Sequence, residues 1–428
     1  MKKFTIISLG CPKNTVDSEV LKGSLKQTGY DYCEDVNSSD VVIINTCGFI
    51  KDAKEESIET ILEAINLKED YLDKKIIAMG CLTERYKTEL SKEFVELDGI
   101  FGVDSQEDIV KYLTMEKFEI SDIATSRDLI TSGYTAYLKV SEGCDNRCAF
   151  CAIPDIRGLQ KSRKIDEILR EAEYLHNKGV KEIILTAQDL TRYGHDNYGQ
   201  LKLYDLVQKI AQARFFPWIR IMYTNPDYFH PQLLELFTQY KEICPYIDIP
   251  IQHASDRILK LMNRKKSSKE ITKLISTIRK EVPNIALRTS LITGFPTESE
   301  NDFGKLLDFV EEMRFERLGV FTYSEEEDTK AALLDDDVPE DKKHQRQEIL
   351  MKVQFEVGQE FANKKNGTET TVLIENKDND HYIGRTMWDA PEVDCFAVVK
   401  SKKDLQIGEF YKMEITGNLN IDLTGEIN

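Results

Sequence analysis

Short β-branched apolar runs alternate with segments of helical period through most of this chain, and that alternation restricts the fold more than any other feature. Residues 4–8, 41–44 and 75–78 are apolar runs of strand length. Between them, residues 17–27 and 53–67 space their apolar side chains as helices do, as at Ile58, Ile61, Leu62 and Ile65. Strand, helix and strand in succession predict a parallel sheet with helices on its faces. From Tyr134 the pattern resumes on a larger scale, with strands expected over residues 137–141, 182–186, 219–223, 246–250, 286–293 and 318–323. The helix predicted over 165–176 lines one face with Ile165, Ile168, Leu169, Ala172 and Leu175. Six such units fall short of the eight of a closed barrel, so an open, partial (β/α)6 barrel is expected, with its chemistry at the carboxyl ends of the strands.

The remaining segments set the domain limits. Residues 116–133 read as a linker, and the acidic, helix-breaking run from Leu334 to Pro339 closes the central domain. A helix over 342–364 follows, then five short strands at 370–375, 382–386, 395–400, 409–416 and 422–427. Strands of that length separated by turn residues predict a small antiparallel β-barrel. The fold class is therefore α/β, with domains expected over 1–118, 130–362 and 364–428. No apolar run approaches the ~20 residues of a membrane span. The amino terminus lacks the apolar stretch and cleavage site of a secretory signal, which points to the cytoplasm.

Charge narrows the partners. The formal net charge is −18, and from Lys364 onward there are 8 Lys and Arg against 12 Asp and Glu. A nucleic-acid binder needs basic excess to meet phosphates, whereas an acidic surface suits a basic protein partner or serves solubility alone.

Nine cysteines in a cytosolic-looking chain argue for metal or catalysis over disulfides. Directly after the first barrel strand comes Ser141-Glu-Gly-Cys144-Asp-Asn-Arg-Cys148-Ala-Phe-Cys151. Three thiolates on one tight loop can hold three irons of a 4Fe-4S cube and leave the fourth iron open to a ligand. Structural zinc, the chemical rival, wants a fourth ligand, and no histidine lies in this loop. In the first domain each apolar strand ends in a cysteine, at Cys11, Cys47 and Cys81. Neighbouring parallel strands lie ~4.8 Å apart, so these thiols can converge at the carboxyl edge of the sheet. Cys33, Cys244 and Cys395 have no partner at ligand spacing and read as ordinary thiols.

The loop carrying Cys144, Cys148 and Cys151, with Phe150 before the last cysteine, resembles the cluster loop of the radical S-adenosylmethionine superfamily. That resemblance implies that the open iron binds the methionine part of S-adenosylmethionine and that reductive cleavage yields a 5′-deoxyadenosyl radical. It further places Thr186, Gln188 and Asp189 against the cofactor's amino group. Ile292-Thr-Gly-Phe-Pro-Thr-Glu298 resembles the adenine-side motif, with Gly294 and Glu298 as its cofactor residues, and Thr297 stands where the superfamily usually has glycine. Gln252, His253 and Arg288 are candidates for the same cavity.

Domain order and both cysteine sets resemble the methylthiotransferase family of radical S-adenosylmethionine enzymes, which carries a carboxyl-terminal TRAM domain. Ser8-Leu-Gly-Cys-Pro-Lys-Asn14, Ala187-Gln-Asp-Leu-Thr-Arg-Tyr-Gly194, Tyr246-Ile-Asp-Ile-Pro-Ile-Gln-His253 and Gly384-Arg-Thr-Met-Trp-Asp-Ala-Pro-Glu-Val-Asp394 resemble its RimO branch, which acts on an aspartate of ribosomal protein 12 of the small subunit. The branch acting on transfer-RNA adenosine usually has Gln-Met at the Pro12-Lys13 positions. The resemblance implies two 4Fe-4S clusters, an auxiliary one on Cys11, Cys47 and Cys81 and a radical one on Cys144, Cys148 and Cys151. It also implies two S-adenosylmethionine molecules, an electron donor and a sulfur source, with no membrane partner and a protein rather than a nucleic acid as substrate. Transfer-RNA methylthiolation is the alternative within the family, and a non-enzymatic iron–sulfur carrier is the alternative outside it.

Overall fold

The computed structural model describes all 428 residues. The amino-terminal sheet joins β1 (Lys3–Ser8), β2 (Asp31–Tyr32), β3 (Val41–Thr46), β4 (Lys75–Gly80) and β5 (Gly99–Ile100) in the order β2-β1-β3-β4-β5, every pair parallel. Helices α1 (Pro12–Gln27) and α2 (Lys51–Asp70) cross between strands, and β3 is buried along its whole length. A strand covered on both faces must be apolar throughout, which is why Val41–Ile44 shows no alternation.

The central sheet is formed by β6 (Thr135–Lys139), β9 (Glu182–Thr186), β10 (Trp218–Ile221), β11 (Ile243–Asp248), β12 (Ala286–Thr293) and β13 (Arg317–Thr322). Two short strands, β7 (Ser141–Glu142) and β8 (Lys161–Ser162), form a separate hairpin beneath the cysteine loop. The six long strands run β13-β12-β11-β10-β9-β6, all parallel and unclosed, as the six β/α units predict. Alternate residues divide between two cores. Ile183, Leu185, Ile247 and Leu287 pack under the outer helices. Tyr137, Ile184, Tyr246 and Ala286 pack on the concave face, against the carboxyl-terminal domain and Val16 and Val20 of α1.

That last domain is a closed barrel of β14 (Glu369–Asp378), β15 (His381–Thr386), β16 (Ala397–Ser401), β17 (Phe410–Leu419) and β18 (Asp422–Ile427). It departs from the antiparallel expectation at one pair: β16 and β18 are parallel, because the β17–β18 hairpin folds back beside β16. No helix of the chain is long and apolar enough to cross a membrane.

The stretch read as a linker is packed rather than free. Arg127 is buried between Glu19 of α1 and Glu171, at 2.6 Å to each, and the Ile130 N–H donates to Glu19 Oε1 at 3.1 Å. A sequence window cannot reveal this, because both carboxylates are far away in the chain.

A buried charge cluster joins the last domain to the barrel. Glu182 accepts from Arg220 Nε at 2.9 Å and from Arg385 Nη2 at 2.5 Å, and all three side chains are inaccessible to water or nearly so. Burial alone would raise the Glu182 pKa, but the two guanidiniums hold it down to about 2. A carboxyl depressed below its ordinary value of 4.5 stabilises the fold above that value and loses the contribution as pH falls through the folded pKa. Acid unfolding is therefore expected to set in between about pH 4.5 and 2. Glu182→Ala leaves the buried Arg220 without a carboxylate and Arg385 with Glu375 alone, and is expected to cost about 3–5 kcal/mol, read from denaturant titration at neutral pH.

Candidate active site between two cysteine sets

The ends of β1, β3 and β4 lie side by side, and each strand is followed within three residues by a cysteine. The loop carrying Cys11 approaches Cys47 so closely that a Cβ on Gly10 would lie 2.8 Å from Cys47 Sγ, and Gly10 adopts φ +82°. Only glycine meets both demands without strain. Asn14 ties the strand ends together, donating from Nδ2 to Leu9 O at 2.9 Å and to Thr46 O at 3.0 Å. The Cys47 N–H donates to Ser57 Oγ at 2.9 Å. Burial pushes the Cys81 thiol up to about 12, Arg157 opposes that shift, and Cys11 and Cys47 add to it as neighbouring thiols. Three thiols at neighbouring strand ends are a donor set that a bound cation stabilises.

The second set sits on the loop after β6. Cys144 and Cys151 are pushed up by burial, Cys144 to about 12. Backbone bonds hold the loop from three sides: the Cys144 N–H donates to Gly158 O at 3.1 Å, Ala149 N–H to Met262 O at 3.0 Å, and Ala331 N–H to Ala149 O at 2.8 Å. Arg264 Nη1 lies 3.6 Å from Cys148 Sγ. Around the loop, Ser141 Oγ, Asn146 Oδ1, Thr186 Oγ1 and Gln188 Oε1 are buried without partners. Unsatisfied buried polar atoms are rare, so their concentration beside three thiols fits a polar ligand. All nine cysteines are free.

The other expected cofactor residues fall into distinct roles. Phe150 packs with Phe295, Tyr323 and Ile258. Gln188 hydrogen-bonds Glu142 through Nε2, leaving its Oε1 available. Asp189 caps the turn Leu190–Arg192, accepting from Thr191 N–H at 2.9 Å, and also accepts from Asn146 Nδ2 at 2.6 Å and Asn225 Nδ2 at 3.2 Å. Gln252 has φ +73° and couples its backbone to Ser290 and Ile292. His253 is wholly buried, with Nδ1 accepting from Ser255 N–H at 2.9 Å. Glu298 takes the N–H groups of Gly294 and Phe295 at 2.7 and 3.2 Å and pairs with Arg346, so it shapes the Gly294 loop. Thr297, standing where glycine is usual, has φ +69° and is held by Asp337 and Arg257. Arg288 faces Asp248 at 2.9 Å and Asp394 of the last domain at 3.4 Å, inside the concave face.

Arg157, which sequence reasoning did not single out, reaches the first set from the helix that follows the second. It ends the helix Ile153–Arg157 just after Cys151. Its Nε donates to Cys81 Sγ at 3.3 Å, Nη1 to Asp17 at 3.0 Å and Glu142 at 2.9 Å, and Nη2 to Asn14 Oδ1 at 2.5 Å. Asp17, Asp104 and Glu142 bring their carboxylates within 4.8 Å of one another, as metal ligands do. Lys139 already pairs with Asp17 and with Glu142 (2.7 Å), so Arg157 and Lys139 fill that position. Arg157→Met leaves buried carboxylates short of a cation and is expected to cost about 3 kcal/mol or more, with a matching fall in the denaturation midpoint. A midpoint equal to that of the unaltered chain would contradict this.

A surface cavity of about 770 Å³ is lined by Arg279, Glu316, Phe361 and Trp388 among others. It lies by the amino-terminal ends of β12 and β13, on the far side of the sheet from both cysteine sets.

Comparison with known proteins agrees with this layout. Family models match in three places: "Uncharacterized protein family UPF0004" over residues 3–102, "Radical SAM superfamily" over 138–310 and "TRAM domain" over 367–427. The chain is 44% identical over 440 residues to the ribosomal protein uS12 methylthiotransferase RimO of Clostridioides difficile (strain 630), covering 100% of this chain and 99% of that protein. It is 45% identical over 439 residues to the protein of that name from Thermoanaerobacter sp. (strain X514), covering 100% of both. Among solved structures, the radical S-adenosylmethionine methyltransferase TsrM from Kitasatospora setae superposes with a TM-score of 0.56 at 13% identity, over 75% of each chain. The cobalamin-dependent S-adenosylmethionine radical enzyme OxsB gives 0.51 at 13% identity, over 82% of this chain and 56% of that one. At such identity the likeness is one of fold alone.

Proposed function

The chain belongs to the RimO family of ribosomal protein uS12 methylthiotransferases, and from that premise we propose that it places a methylthio group on the β-carbon of an aspartate of uS12, using two 4Fe-4S clusters and two molecules of S-adenosylmethionine. The observation that carries this reading is the placement of Cys11, Cys47 and Cys81 at the ends of three adjacent parallel strands, with Arg157, on the helix that follows the second cysteine loop, donating to Cys81 Sγ. Cys144, Cys148 and Cys151 hold the radical cluster, and Cys11, Cys47 and Cys81 the auxiliary one. Bound there, such clusters supply the electron for reductive cleavage of S-adenosylmethionine and an iron on which sulfur is carried.

The chain's own residues do the rest. Gln188, Phe150 and Gly294 border the cofactor, while Asp189, Gln252 and Glu298 fix the loops that carry them. Arg288 shapes the cavity from its floor, through Asp248. Lys139 and Arg157 neutralise Asp17 and Glu142, so the wall between the sets is closed by ion pairs instead of water. The domains divide as 1–118 for the auxiliary cluster, 130–362 for the radical core and 364–428 for the TRAM barrel, whose acidic surface matches a basic ribosomal protein better than RNA. An electron donor and a sulfur source complete the system, in the cytoplasm where ribosomes are assembled.

The test is to incubate reconstituted protein with ribosomes, free uS12 and transfer RNA, with methyl-labelled S-adenosylmethionine. The expected result is label in one uS12 peptide, with a methylthio group replacing one hydrogen of aspartate. Label confined to transfer-RNA nucleosides would assign the chain to the other substrate.

A further inference from the structure

One largely buried lysine has no hydrogen-bond or ion-pair partner within the protein. Lys13 is only 8% exposed, yet its Nζ makes no hydrogen bond or ion pair and rests instead over the Tyr223 ring, 3.8 Å from its centroid. Each of the other buried lysine and arginine side chains has a carboxylate or carbonyl partner, as with Lys22, Lys74, Arg157, Arg220, Lys343 and Arg385. The stem is buried while the ammonium touches only the ring, so the charge remains free to meet an anion from outside.

The position fits that demand. Lys13 stands two residues beyond Cys11, at the start of α1. Tyr223 lies just past the carboxyl end of β10, at the barrel mouth, so the pair spans two domains. Tyr223 adopts φ +58°, its N–H donates to Asp248 Oδ2 at 2.9 Å, and its hydroxyl has no partner. Glu142, whose charge reaches Lys13, is already engaged by Lys139, Arg157 and Gln188. The cationic contact to the first thiol set is likewise filled from another side, by Arg157 on Cys81.

We propose that Lys13 Nζ and the Tyr223 hydroxyl form a carboxylate-binding subsite that holds the side-chain carboxylate of the substrate aspartate. One positive charge and one neutral donor match the single charge and two oxygens of a carboxylate. A carboxylate held there leaves the adjoining β-carbon one bond away, between the cysteine sets. The subsite also gives the enzyme a reason to reject a neutral base, because that would leave the ammonium unpaired.

This inference rests on the uS12 reading above, and the experiment separates the two. Binding of fluorescently labelled free uS12 to the reconstituted protein is measured without S-adenosylmethionine, for the natural form and for a form with asparagine in place of the modified aspartate. The unaltered enzyme is expected to bind the aspartate form about 10-fold or more tightly, since truncating a buried charged contact typically weakens binding by that much or more. In Lys13→Met, iron content serving as the check on folding, the preference is expected to fall to about 2-fold or less. Equal binding of the two forms by the unaltered enzyme overturns the subsite while leaving uS12 as substrate, and this comparison needs no variant to fold. An unchanged preference in a folded Lys13→Met protein also overturns it. Absence of any uS12 binding or modification would instead remove the substrate reading itself.

Discussion

Replacing Cys144, Cys148 and Cys151 together with alanine is expected to reduce 5′-deoxyadenosine formation to background and to remove about half of the iron, because the proposed function makes these thiolates the ligands of the radical cluster. The fold should survive. The loop is held through backbone groups, with Cys144 N–H on Gly158 O, Ala149 N–H on Met262 O and Ala331 N–H on Ala149 O, none of which needs a sulfur. A change in unfolding free energy of about 1–2 kcal/mol, the usual range for a moderate substitution, would accompany total loss of cleavage. Chromatographic assay of deoxyadenosine under reducing conditions decides it: formation at the native rate would refute the radical assignment.

The complementary triple replacement, Cys11, Cys47 and Cys81 to alanine, should separate the two halves of the reaction. Deoxyadenosine formation is expected to continue, because the radical loop and its surrounding polar atoms lie on other elements. Methylthio transfer to uS12 is expected to fall below detection, with the other half of the iron lost. Arg157 would lose only its contact to Cys81 Sγ and keep Asp17, Glu142 and Asn14, so the interface between the domains should hold. Mass analysis of uS12 tests it directly: product at native yield would mean that this set carries no sulfur for the reaction.

Much of the architecture is legible locally. β9 and β12 begin and end where the apolar runs place them, at Glu182–Thr186 and Ala286–Thr293. β11 begins at Ile243, three residues earlier than expected, because Pro245 inside the strand disguises its start. The segment before the barrel misled for a different reason. Its composition is that of a linker, and its order comes from Arg127 meeting Glu19 and Glu171, a contact without local signature. Arg288 and His253 show what placing residues by strand end leaves open, namely their partners. Arg288 points into the concave face toward Asp394, and His253 is enclosed in protein.

By itself, the order of residues determined the succession of strands and helices, the openness of the six-stranded sheet and the grouping of six cysteines into two sets. These follow from period and spacing, which act over a few residues at a time. Only the tertiary structure decided what lies between the sets. Arg157 reaches Cys81 and Asp17 across a domain boundary, Lys13 comes to rest on Tyr223, and Glu182 is clamped between Arg220 and Arg385. Each is an electrostatic contact between residues distant in the chain. Its value depends on burial and orientation, and those exist only once the separate domains have packed together.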